Sequence, residues 1–138
     1  MRNIILILIL IFSTLNVFSQ KADDLIGKYR LSNGIDVQFF KYKNKYFGKI
    51  ISLKHFKEKQ TKDINNPDKS KRNDLLMNKI IIKNLIFDKE KKQWVDGEIY
   101  SPDKGVTLDL KVTHLREKEI EVVGSKYIFW VTLHWKKI

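Results

Sequence analysis

Apolar and polar residues alternate along most of the chain, and the alternation is cleanest over residues 106–113. Val106, Leu108, Leu110 and Val112 share one face, and Thr107, Asp109 and Lys111 share the other. That period of two marks a strand with one buried side. Residues 94–101 read as its hairpin partner, joined to it by Pro102-Asp103-Lys104-Gly105. This link suits a four-residue loop on a type I turn, with proline presetting φ and glycine taking the left-handed exit. Counting these two, eight strand-like runs are legible: 28–31, 35–42, 46–53, 80–87, 94–100, 106–113, 119–124 and 127–135. Asn33-Gly34 predicts a type I′ turn with positive φ at both residues. Residues 43–45, 88–93 and 115–118 read as polar hairpin links, and no stretch reads as a long amphipathic helix. The pattern predicts an all-β fold, an eight-stranded antiparallel up-and-down barrel, because closure removes the exposed sheet edges.

One segment breaks the rhythm. Residues 54–79 are longer than ordinary connections, and such loops are usually functional or disordered. Asp68 follows Pro67 and is placed to cap a short helix running to about Leu76, with Leu75, Leu76 and Met77 as an apolar plug. The expected result is an ordered, partly helical lid over one barrel end. In the last run Tyr127, Phe129, Val131, Leu133 and Trp135 share one face, while Ile128 and Trp130 point the other way. An outward apolar pair needs a cover, for which the lid is the expected candidate.

The start of the chain has a different pattern. A basic head, Met1-Arg2-Asn3, precedes an uninterrupted apolar run over 4–12, and polar character begins abruptly at Lys21. This is the layout of a secretory signal peptide, with cleavage expected after Ser19 or Gln20. Residues 1–20 are then the signal and 21–138 a single domain, exported to the periplasm or beyond. With no cysteine, the chain has neither a lipoprotein acylation site nor a disulfide. After cleavage no transmembrane span is expected. Net charge is +11, and +10 without the signal, whose one charged residue is Arg2. All but four of the 27 basic residues are lysines, scattered through the turns. Nucleic-acid readers favour the planar guanidinium gathered into a stripe, so no nucleic-acid partner is expected. General attraction to anionic surfaces is.

Several residues carry a family likeness: Asn66-Pro67-Asp68, Arg72, Leu76, Gly97-Glu98-Ile99-Tyr100, Pro102-Asp103-Lys104-Gly105, Gly124 and Trp135. In this order they resemble domain of unknown function 2147, a bacterial family of small exported proteins with a lipocalin-like β-barrel. The likeness runs from Gly27 to Trp135. Lys28-Tyr29 stands where the family has a tryptophan after its first glycine. Asp74-Leu75 replaces Arg-Pro, Asn78 a glycine and Ser101 an aspartate, and Lys136-Lys137 supply the family's final basic position. The resemblance implies a fold and a compartment, and it brings no catalytic residue.

The chemistry is sparse. His55, His114 and His134 lie in three distant runs with no partner at metal-ligand spacing, so no metal is expected. There is no Gly-x-Ser-x-Gly elbow and no glycine-rich phosphate loop. Asp23-Asp24 are adjacent carboxylates in what reads as a frayed terminus, and neither catalysis nor a cofactor is expected. A binding role is. Tyr29, Phe39, Phe47, Phe87, Trp94, Tyr100, Phe129 and Trp135 are the expected interior aromatics, lining a site for a small apolar or amphipathic ligand. The same side chains are large enough to fill the barrel, which would then act as an interaction module for an envelope protein or anionic polymer. Asn66, Asp68, Arg72 and Asp103 are expected to meet where the lid crosses the mouth. There Arg72 would either fix a ligand carboxylate or tie the lid to Asp68 or Asp103.

Overall fold

A computed structural model describes residues 19–138. The apolar head on which the export signal rests lies outside the described residues. Among those described, no helix is long and apolar enough to cross a membrane.

Eight antiparallel strands follow one another around a closed barrel. They are β1 Gly27–Arg30, β2 Asp36–Tyr42, β3 Lys45–Ser52, β4 Ile80–Asp88, β5 Gln93–Ser101, β6 Val106–Leu115, β7 Glu119–Lys126 and β8 Phe129–Lys137. Closure is made by a short seam in which Tyr29 faces Lys137 and Arg30 faces Lys136. β6 keeps the alternation of its sequence, with Leu110 and Val112 buried and Thr107, Asp109 and Lys111 exposed. Gly105 takes the left-handed conformation, φ +65°, and its amide donates to the Ser101 carbonyl at 2.8 Å.

Two turns differ from the expected chemistry. Between β1 and β2 only Gly34 has positive φ, +88°. Leu31 N bonds Ile35 O at 2.8 Å, which makes a three-residue loop. The Asn33 carboxamide explains the change, because its oxygen accepts the Ile35 amide at 3.1 Å and so replaces a backbone partner. Both positive φ values of a two-residue turn fall instead at Lys43 and Asn44.

The two barrel ends are built differently. At one end a 3₁₀ turn, Ala22–Leu25, plugs the interior with Leu25. Trp94 Nε1 donates to the Ala22 carbonyl at 2.9 Å, and the Tyr29 hydroxyl donates to the Leu25 carbonyl at 2.9 Å. Asp23 accepts from the Tyr46 hydroxyl and pairs with Lys41 at 3.2 Å. The Asp23-Asp24 pair is therefore a closing device and not a frayed terminus.

Over the other end lies the long β3–β4 connection. Its two arms zip together, Asp63 N to Asp74 O and Leu76 N to Thr61 O, both at 2.9 Å. Phe56 and Leu76 drop into the core. Helix is limited to the 3₁₀ turn Lys69–Lys71, capped by the Asp68 side chain. The plug is Leu76 alone, since Leu75 and Met77 are exposed: three consecutive residues outside a helix cannot share one face. The lid sits on the β1–β2 and β5–β6 turns through its backbone. A Cβ on Gly34 would lie 1.8 Å from the His55 carbonyl oxygen, and one on Gly105 would lie 1.9 Å from that of Asn65. Gly105→Ala is expected to cost about 2 kcal/mol from backbone strain and overpacking, read as a lowered urea midpoint. An unchanged midpoint would show that the lid does not bear on this turn.

A cavity at the lidded end of the barrel

The eight expected aromatics separate into four groups. Tyr29, Phe39 and Trp94 are fully buried, and the half-buried Phe87 packs on Trp94 with ring centroids 5.0 Å apart. These four fill the plugged half. Tyr100 and Trp135 line an open cavity in the lidded half. Phe47 is a correction: Tyr46 is the buried neighbour, and Phe47 stacks on Phe40 at 5.8 Å. The β2–β3 register, which pairs Phe40 with Phe47 and Phe39 with Gly48, decides which of the two turns inward. Phe129 is the second correction. It is 73% exposed, because the β7–β8 hairpin extends past the barrel rim and Phe129 opens β8 just after the turn.

The cavity holds about 280 Å³ and is walled mainly by aliphatic side chains, among them Leu31, Ile99, Leu108, Leu110, Val122 and Leu133. It exists because aromatic bulk is spent in the other half, while here Gly124 leaves its wall position empty. A Cβ on Gly124 would meet Leu108 and Val131 at ordinary contact distances, 3.4 and 3.7 Å. Val106, Leu108 and Leu110, which the alternation of β6 puts on one shared face, are part of this wall. One polar atom stands out. Trp135 Nε1 is buried and has no hydrogen-bond partner, which costs about 1–3 kcal/mol in a folded protein.

The polar cluster at the mouth is centred on a residue that spacing did not reveal. Asp63 is completely buried. It accepts from Lys79 Nζ at 2.8 Å, the Tyr100 hydroxyl at 2.7 Å and the Asn66 amide at 2.7 Å. Burial pushes its carboxyl up, but Lys79, Tyr100 and Asn66 together hold it below its ordinary value. Burial and then Asp63 push the Tyr100 phenol well above its own ordinary value. Of the expected cluster, Asn66 and Asp68 meet, Asp68 N donating to Asn66 Oδ1 at 2.9 Å. Arg72 Nε donates to the Asn66 carbonyl at 2.8 Å, so it ties the lid to its own backbone and to neither carboxylate. Asp103 stands apart, accepting from Ser101 Oγ, and Asn65 bridges it to the lid through its carbonyl at 3.1 Å. Asp63 is one of four acids in a lysine-rich loop, and nothing local singles it out; its partners Lys79 and Tyr100 lie 16 and 37 residues away.

On the outer wall, strand pairing brings together histidines that the sequence kept apart. Glu121 lies 3.1 Å from His114 Nδ1 and 3.4 Å from His134 Nε2. Its carboxyl is pulled down to about 2 by hydrogen bonds from Thr113 and then His114. Among the described residues no group of three His, Cys, Asp or Glu side chains is arranged to hold a metal.

No curated protein matches the chain. Among solved structures, it resembles protein HP1028 from the human pathogen Helicobacter pylori, described as belonging to the lipocalin family. The TM-score is 0.71 at 22% identity, over 83% of this chain and 82% of the other. That likeness supports the barrel architecture. A family model described as "Uncharacterized protein conserved in bacteria (DUF2147)" matches residues 27–137, the whole barrel from β1 to β8, and the chain belongs to that family.

Proposed function

We propose that this protein is an exported, non-enzymatic binder of one small apolar ligand, held in the cavity at the lidded end. The observation that carries the reading is the cavity of about 280 Å³, walled mainly by aliphatic side chains, with Tyr100 and Trp135 beside them and Ser32, Asn33, Ser101, Asp103 and Lys104 on its polar side. Such a site takes an apolar body whose polar end meets the turn residues Ser32, Asn33, Ser101, Asp103 and Lys104. At the ~30 Å³ that a small molecule such as water occupies per heavy atom, 280 Å³ accommodates roughly ten non-hydrogen atoms. That is a medium-length acyl chain or a single-ring acid, and too little room for a whole phospholipid. The alternative of a filled barrel is disfavoured by the same volume, which lies at the lower edge of ordinary ligand sites. Export rests on the pattern of residues 1–20.

Native mass spectrometry of protein purified from its own envelope is the test, with solvent extraction of what travels with it. A stoichiometric adduct is expected, and Gly124→Leu should abolish it by filling the cavity without unfolding the barrel. A clean mass, with no thermal shift across a panel of medium-chain acids and aromatic acids, would overturn the reading.

A further inference from the structure

The β7–β8 hairpin ends in four consecutive large apolar residues that none of the described residues covers. Tyr127, Ile128, Phe129 and Trp130 are 91%, 78%, 73% and 76% exposed. The lid expected over Ile128 and Trp130 instead crosses the β1–β2 and β5–β6 turns. Soluble surfaces scatter single apolar residues, and a contiguous patch marks an interaction site. The turn also carries a backbone cost: Tyr127 has φ +56°, where glycine or asparagine is normal.

The surroundings of the tip are basic. Lys126 Nζ lies 6.0 Å from the Tyr127 ring centroid. Lys71, Lys83 and Lys126 share an adjoining groove with Asp68 and Glu98. The lid at the same barrel end, residues 53–79, carries eight basic side chains against four acidic ones, and adds exposed Ile64, Leu75 and Met77. Trp, Tyr and Phe beside Ile, with Lys126 against the tip and more lysines in the adjoining groove and lid, match the chemistry of a bilayer interface with anionic headgroups. A second copy fits poorly. A two-fold contact would set these lysines against their own copies, and protein interface cores are depleted in lysine.

We propose that the β7–β8 tip is a membrane-contact element: Tyr127–Trp130 enter the interface of an anionic bilayer while the lysines around them meet lipid phosphates. The tip residues do not line the cavity, so this contact stands or falls apart from ligand binding.

The experiment uses residues 19–138, which hold the complete barrel without the apolar head, and vesicles of phosphatidylglycerol and phosphatidylcholine in equal amounts. Trp94 and Trp135 are buried and Trp130 is exposed, so a blue shift in emission reports the tip alone. The expected result is co-sedimentation with a blue shift, weakened by salt and by omitting phosphatidylglycerol. Ile128→Ser with Trp130→Ser should lower partitioning at least about tenfold at unchanged Tm, since two large apolar side chains no longer leave water. Equal binding by the double variant would reduce the contact to general lysine attraction and overturn the proposal. So would no binding at all, or a tip-dependent dimer in sedimentation velocity without vesicle binding.

Discussion

Asp63→Ala is expected to lower the free energy of unfolding by about 3 kcal/mol or more, the cost of breaking a buried ion pair from one side. The carboxylate is inaccessible to solvent and accepts from three side chains on two elements. Its removal leaves the Lys79 ammonium, mostly shielded from water, facing a hole, and strands the Tyr100 hydroxyl. Near the scale of ordinary domains this is a fall in Tm of roughly 10 °C. Amide exchange should rise first in the lid, because Asp63 joins the lid to β5. The same group gives a pH dependence of definite sign. Its folded pKa lies below the ordinary 3.8, so its contribution is complete above that value and is lost as pH falls through the folded pKa. Wild type should lose this stability on acidification and Asp63→Ala should lack that part of the acid sensitivity. An alanine variant with native Tm and native lid exchange would show that Asp63 and its three partners do not hold the lid.

Trp94→Ala should be costlier still, about 4 kcal/mol, within the range for truncating a buried tryptophan. Trp94 is fully enclosed, and it bridges β5, Phe87 on β4 and the Ala22–Leu25 plug. Truncation opens a cavity in the half of the barrel that is otherwise filled and releases the plug. With domain stabilities of about 5–15 kcal/mol, that is a large share of the total. Urea unfolding measures it, and Trp94→Phe separates the contributions: it keeps most of the packing and loses only the bond to Ala22, about 1 kcal/mol. A loss in Trp94→Ala no larger than in Trp94→Phe would mean that the plug, and not the packing, is what Trp94 secures.

These two sites differ in how visible they were. Trp94 is a large aromatic at the start of a strand-like run, and such residues go inward when the partner strand allows it. Asp63 sits in a loop with no periodicity, and its role is made by Lys79 and Tyr100, which only the folded chain brings near it. Phe47 and Phe129 show the limit of alternation. A period of two says that neighbours face opposite ways, but register decides which face is inside, and Tyr46 took the position inferred for Phe47. Phe129 has the inward phase of β8 and lies beyond the rim, because alternation carries no information about where a strand leaves the barrel.

By itself, the sequence determined eight strands, their antiparallel order, most of the turns and the existence of an ordered lid. Each follows from local physics: side-chain alternation, the φ that proline and glycine permit, and the entropy that favours pairing neighbours. Tertiary structure alone decided where the cavity lies, that Asp63 anchors the lid, and that the Tyr127–Trp130 tip stays bare. Those depend on how volume is divided between the two ends of a closed barrel, and on contacts between residues tens of positions apart, which no local pattern encodes.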